Sequence, residues 1–279
     1  MDNSTSIAAT TPPAIRLDKV SLALGGRQIL SDFSVEIPAG KVTAVMGPSG
    51  AGKTTVMRLI TGQIKPDAGE VWLGDARVDT LKPRELNRLR RNVGVLLQNG
   101  ALFTDLTAFD NVALPLREHS GLPEALIRRV ALLKLQTVGL RGAADLYPRE
   151  MSGGMNRRVA MARAMALDPD LMLYDEPFAG LDPISLGVSL RLIRDVNQAL
   201  GTTSVVITHD VDEVAKLADI VCIIADQKLV ASGAPQALDE SDHPLVRQFI
   251  DGLPDGPVPF HYPAPSLESD LLGSSGANQ

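Results

Sequence analysis

The chain has 279 residues, 44% of them hydrophobic, which is enough apolar material to bury a sizeable core in one large domain or two small ones. Its formal net charge of −6 gives no basic footprint for neutralising a phosphate backbone, so nucleic acid is not indicated as a main partner. A single cysteine excludes an intrachain disulfide; Cys222 sits in the apolar run Ile220-Val221-Cys222-Ile223-Ile224 and reads as a buried strand thiol suited to a reducing compartment.

Residues 1–14 are small and polar and include two prolines, a composition that predicts a mobile lead-in. Met1-Asp2-Asn3-Ser4-Thr5 lacks the basic-then-apolar order of a secretory signal, and no apolar run approaches the ~20 residues of a membrane helix. A soluble, cytoplasmic chain is expected, serving any membrane process through other proteins that cross the bilayer.

From Ile15 to Val45, short β-type runs alternate with turns at Gly25-Gly26 and Pro38-Ala39-Gly40, which predicts antiparallel strands leading into the strand Val42-Thr43-Ala44-Val45. Val56, Leu59 and Ile60 then recur at helical spacing, with Gly62 as a C-terminal cap. After the strand Val93-Gly94-Val95-Leu96-Leu97 the chain turns mainly helical. Pro123 suits a first helical turn, and Leu126, Ile127, Val130 and Leu133 form a stripe expected to face the core. Strands resume at Leu171 and at Ser204-Val205-Val206-Ile207-Thr208. The pattern predicts an α/β fold with a mostly parallel sheet covered on both faces. Residues 15–98 and 165–250 make its core, 99–164 an inserted helical subdomain and 251–279 a tail. The tail is rich in Pro and Gly yet carries Pro257-Val258-Pro259-Phe260-His261-Tyr262-Pro263, so it is either a disordered end or an extended segment that docks in a groove.

Chemistry concentrates in a few places. Gly47-Pro48-Ser49-Gly50-Ala51-Gly52-Lys53-Thr54 fits the phosphate-loop pattern between a strand and a helix. Its glycines let backbone N–H groups converge on the β- and γ-phosphates of ATP, the helix presents its positive end, and Lys53 adds a point charge. Thr54 is placed to ligate Mg²⁺, and Thr55 completes the binding run. In Leu171-Met172-Leu173-Tyr174-Asp175-Glu176, Asp175 ends an apolar strand where a carboxylate can hold Mg²⁺ through water. Glu176 is the candidate base for the attacking water, although such a pair before Pro177 also suits a helix cap. Ser152-Gly153-Gly154 opens another helix and forms either a second anion site or an ordinary Ser cap. His209 ends a strand, where its imidazole could bond the γ-phosphate and Glu176; a strand-end His is by itself more often structural, and its place after the Asp-Glu pair favours the functional reading. Asp210 and Glu213 resemble a capping box that would fix the following helix.

This order of phosphate loop, Met151-Ser152-Gly153-Gly154-Met155 and Asp175-Glu176 resembles the nucleotide-binding subunits of ABC transporters from about Ile15 to about Ile250. The resemblance implies a P-loop NTPase (RecA-like) core with an antiparallel β edge and an inserted helical subdomain. It implies that Gln98 contacts Mg²⁺ and the water, that Asp182 belongs to a dimer-contact loop, and that Ser152 to Gly154 reach ATP held by the other copy of a head-to-tail homodimer. Met151 and Met155 replace the more usual Leu and Gln, and Leu24 stands where many members stack an aromatic on adenine, which implies weaker base discrimination.

Within the family, Gly100-Ala101-Leu102-Phe103-Thr104-Asp105, Asp110-Asn111-Val112-Ala113, Pro115-Leu116-Arg117-Glu118-His119 and Asp251 to Phe260 resemble the ATPases of maintenance of lipid asymmetry. That likeness implies an inner-membrane complex moving phospholipid between two membranes, with an MlaE-type permease, an MlaD-type lipid-binding subunit and a small MlaB-type STAS protein. An ATPase of another importer or exporter would share every catalytic motif. A soluble ABC ATPase of translation or repair is disfavoured by the single nucleotide-binding unit.

Overall fold

The computed structural model of the chain describes residues 13–258, together with 266 and 270. It opens with two long strands, β1 (Pro13–Leu24) and β2 (Arg27–Pro38), joined at Gly25-Gly26. Strand β1 therefore begins inside the segment read as a lead-in, and the Ala14 carbonyl already accepts from Gly74 N at 2.8 Å. Next come β3 (Val42–Met46), α1 (Lys53–Ile60), β4 (Ala68–Leu73), β5 (Ala76–Arg77), α2 (Pro83–Arg90) and β6 (Val93–Leu96). Three helices follow in succession: α3 (Ala108–His119), α4 (Glu124–Thr137) and α5 (Gly153–Ala164). The chain then alternates through β7 (Leu171–Asp175), α6 (Pro183–Leu200), β8 (Thr203–Ile207), α7 (Val211–Leu217) and β9 (Ile220–Ala225). Strand β10 (Lys228–Gly233) and the short helices α8 (Pro235–Asp239) and α9 (Pro244–Asp251) complete it.

The main sheet has the order β10-β9-β3-β8-β7-β6, parallel except at β10. Strands β3 and β8 are buried at every residue, as their unbroken Val/Ile/Thr-rich sequences require when helices cover both faces. All the crossovers deliver chain to the same edge, so Gly47, Gln98, Asp175 and Thr208 follow the carboxyl ends of neighbouring strands, where open α/β sheets bind ligands. The antiparallel strands form a sheet of their own, ordered β2-β1-β4-β5. It shares a core with α1 and one face of the main sheet: Ile15, Leu30 and Phe33 pack with Val56, Leu173 and Val205. On the opposite face Met172, Tyr174 and Val206 pack with α3, α4, α5 and α6.

Three local expectations are corrected. Helix α4 buries Ile127, Ala131 and Leu135, whereas Leu126 is 41% and Leu133 64% exposed. At about 100° per residue, Leu126 and Leu133 lie roughly 140–160° from the centre of the buried line, near the opposite face, and the small Ala131 is what lets the helix approach its neighbours. Asp210 and Glu213 form no capping box: Thr208 Oγ1 already accepts from Asp210 N at 3.1 Å, and buried Glu213 turns its Oε1 to Lys216 Nζ, also 3.1 Å. Pro123 is the N-cap of α4, one residue ahead of its first turn.

Candidate nucleotide site

Strand β3 runs straight into the phosphate loop. Gly47 adopts φ +143°, and a Cβ there would fall 2.0 Å from the Ile224 carbonyl oxygen, so β9 leaves room for glycine alone. Gly50 and Gly52 are left-handed, which turns the intervening backbone around an open centre before α1 starts at Lys53. The Lys53 ammonium donates to the carbonyls of Gly47 (2.8 Å) and Pro48 (3.0 Å), which holds it against the loop. No acidic residue occupies the first turn of α1, so the helix dipole and the ammonium act together on an anion. Burial pulls the Lys53 pKa down, opposed by the nearby carboxylates of Glu176 and Asp175.

Those carboxylates stand at the end of β7. Half-buried Asp175 has its pKa pushed up, chiefly by burial and then by Glu176, with Lys53 opposing. Glu176 holds φ +47°, unusual for a residue with a side chain, and its N–H donates to the Ile207 carbonyl at 2.8 Å. This turn brings its carboxylate to His209: Nδ1 lies 3.1 Å from Oε1 and 3.0 Å from Oε2. The Glu176 side chain is 15% exposed and that of His209 69%, so the imidazole covers the carboxylate from the solvent side.

Ser49, Gly50, the run Gly52–Thr55, Gln98, Asp175, Glu176 and His209 line one cleft of about 510 Å³. Arg27 and Ile29 line it too, and sequence reasoning missed both; the signal available was the Gly25-Gly26 turn, which delivers the start of β2 to the loop. Leu24, beside that turn, is 39% exposed. The oxygen donors are one strand-end carboxylate, a hydroxyl and an amide. Among the described residues no three His, Cys, Asp or Glu side chains form a self-sufficient metal centre. That set fits Mg²⁺, a hard cation that keeps waters and substrate phosphates in its shell, and its charge would relieve the crowding of Asp175 by Glu176.

Ser152, Gly153, Gly154 and Asp182 do not line this cleft. Ser152 caps α5, its Oγ accepting from Met155 N at 3.2 Å. Asp182 caps α6, its Oδ1 accepting from Ile184 N and Ser185 N, each at 3.0 Å; hydrogen bonding from the Ser185 side chain first, and then from these backbone groups, holds its pKa below the usual carboxylate value. A Cβ on Gly154 would meet Ser185 Oγ at 2.9 Å, so the two helix starts touch and form a second group. Around Gly153 no described residue lies within 4 Å of that position, its chain neighbours and its own helix backbone aside.

A sequence model of the ABC transporter family matches residues 30–179. The chain is 53% identical over 256 residues to the intermembrane phospholipid transport system ATP-binding protein MlaF of Escherichia coli K12, covering 92% of this chain and 95% of that protein. It is 51% identical to the MlaF of Haemophilus influenzae, covering 92% and 98%. Among solved structures, a dimeric ATP-binding cassette in a post-hydrolysis state with ADP and phosphate superposes with a TM-score of 0.73 at 30% identity, covering 79% of this chain and 98% of the cassette.

Proposed function

This chain belongs to the ABC transporter family, and on that premise we propose that it is the ATP-hydrolysing subunit of an inner-membrane complex that moves phospholipid between the inner and outer membranes of a Gram-negative bacterium. The observation that carries the hydrolytic reading is the convergence of Lys53, Asp175 and the His209-covered Glu176 on one cleft. ATP phosphates rest on the loop amides, the α1 N-terminus and Lys53. Thr54, Asp175 and Gln98 would hold Mg²⁺, which when bound would supply charge neutralisation at the phosphate oxygens. Glu176 polarises the attacking water, and His209 keeps that carboxylate aimed.

Ser152, Gly153 and Gly154, lying off the cleft, are read as the wall that covers ATP in a second copy, with Asp182 beside them. Two copies then pair head to tail around two equivalent sites. The dimeric state of the related cassette bound to ADP and phosphate supports this arrangement. ATP favours the closed dimer and hydrolysis the open one, and that difference in affinity drives a partner.

Residues 15–98 and 165–250 act as the ATP-binding core and 99–164 as the element that meets the membrane subunit. A groove of about 730 Å³ lined by Ala101, Phe103, Leu114, His119 and Leu167 supports an MlaE-type permease there, since Phe103 leaves half its surface open. An MlaB-type STAS protein and, through the complex, an MlaD-type subunit complete the assembly, consistent with the transport system named for the relatives. No helix among the described residues is long and apolar enough to cross a membrane; the transport system named for the relatives supports a peripheral place on the cytoplasmic face of the inner membrane. Residues 251–279 are read as a docking tail. Buried Gln248 supports this by clamping the tail's start: its Nε2 donates to the Val258 carbonyl and its Oε1 accepts from Val258 N, both at 2.8 Å. The segment Pro259 to Pro263 lies outside the described residues.

Purification from membranes in detergent, then reconstitution with phospholipid labelled in one membrane, tests the cargo. A co-purifying polytopic permease and ATP-dependent transfer of label are expected. ATP turnover with neither would leave the chain as an ATPase of another transporter or of a soluble process.

A further inference from the structure

Helix α5 carries three arginines whose guanidinium groups each grip a different stretch of backbone. Arg158 donates to the Val138 carbonyl at 3.1 Å. Arg163 donates to Gly100 and Ala101, both at 2.8 Å, and stands over the Phe103 ring. Arg157 does something neither neighbour does. Its Nη2 donates to the Gln98 carbonyl at 2.6 Å, while its Nη1 donates to the carbonyls of Pro177 and Ala179, both at 2.8 Å, and approaches that of Glu176 at 3.5 Å. One planar, half-buried group therefore ties the loop after β6 to the segment after β7, and charge-assisted bonds from both nitrogens fix its angle. The second tie falls on the turn where Glu176 holds its left-handed backbone, a conformation that persists only when its surroundings over-determine it.

We propose that Arg157 is a positioning residue for hydrolysis: it locks the Gln98 loop to the Glu176–Ala179 segment, so the helical layer bearing α5 cannot shift without re-aiming the carboxylate. Arrival of Gln98 and alignment of Glu176 then become a single event. The inference rests on the hydrolytic roles read above for Gln98 and Glu176. It adds the link between them, which neither the phosphate loop nor the Ser152 turn supplies.

The test compares ATP turnover and equilibrium ATP binding for the full-length chain carrying Arg157→Gln, Arg157→Lys, Glu176→Gln, and Arg157→Gln with Glu176→Gln. Arg157→Gln should lower kcat by about 10- to 100-fold, the scale of a misaligned catalytic group, with ATP affinity within about threefold of the parent. Arg157→Lys should not rescue, because one ammonium on a flexible stem cannot span both loops as a rigid fork does. In the double variant the residual rate should match that of Glu176→Gln alone, since a residue acting through Glu176 has nothing left to position. Parental kcat in Arg157→Gln beside a crippled Glu176→Gln overturns the proposal, as does a loss of affinity in step with kcat or a further slowing in the double variant. If Arg157→Gln fails to melt cooperatively, Arg157→Lys carries the test; failure of both makes Arg157 a folding residue and also overturns it. Near-parental turnover in Glu176→Gln would instead remove the underlying assignment of the base.

Discussion

The cleft between Lys53 and His209 and the surface made by Ser152 to Gly154 are built on opposite principles. The cleft draws side chains from the phosphate loop and the ends of β6, β7 and β8, and two of its charged groups are held by their own chain: Lys53 by loop carbonyls, Glu176 by Ile207 and His209. The Ser152 surface is a single helix start whose hydroxyl caps its own helix and whose Gly153 faces open space. A cradle that satisfies itself can bind nucleotide alone. A bare helix start with an uncrowded glycine gains a use only when something approaches it. Binding should therefore belong to one copy and turnover to two, and substitutions in the two regions should separate these properties.

The largest separation is expected at the base. Glu176→Gln should retain ATP binding while turnover falls by a factor on the order of 10² to 10⁴, the usual scale for loss of a general base. Near-normal hydrolysis would remove Glu176 from the role. Lys53→Ala strikes binding itself, and affinity measured by titration should weaken by about 10- to 100-fold, as expected for losing charge-assisted bonds to phosphate. Unchanged affinity would contradict the cradle. On the other surface, Gly153→Ala should leave the ATP affinity of the free chain unchanged and its melting temperature no lower, since no described residue outside its own helix backbone and chain neighbours comes within 4 Å of the added methyl. Turnover should nonetheless drop by about tenfold or more, because the methyl intrudes where a partner's phosphates would lie. A variant as active as the parent would show that this surface faces only water.

The smallest effect concerns stability. The folded pKa of Asp175 is raised, so its carboxyl favours the fold only when protonated, and that contribution is lost as pH rises through the folded pKa. Asparagine stays neutral throughout. Asp175→Asn should accordingly melt higher than the parent at neutral pH, and lose that advantage in acid as the parent's carboxyl takes up its proton. Calorimetry without nucleotide checks the sign; equal melting at both pH values would show that desolvation of Asp175 costs the fold nothing.

Much of the cleft was legible in the sequence because its parts are local. A strand, a glycine loop and a helix are contiguous from Val42 to Ile60, and Asp175 and Glu176 mark the end of an apolar strand. What stayed hidden depends on tertiary structure. The left-handed turn at Glu176 leaves no trace in composition, and the Arg157 bonds join positions 98, 157 and 177–179, which no window brings together. Arg27 enters the cleft only because β1 and β2 form a hairpin over the loop. On α4, hydropathy favoured Leu126 and Leu133 over Ala131, yet close helix packing chose the small residue and left both leucines exposed. The capping box at Asp210 failed for a similar reason: Thr208 supplied the bond first.

The measurement that bears most directly on a site shared between two copies is specific ATPase activity as a function of protomer concentration, followed through dilution with sedimentation to count copies. The account predicts that activity per protomer falls in proportion to the dimer population, while ATP binding to Lys53's loop persists in the separated chains. Activity per protomer that stays constant after complete dissociation would contradict it.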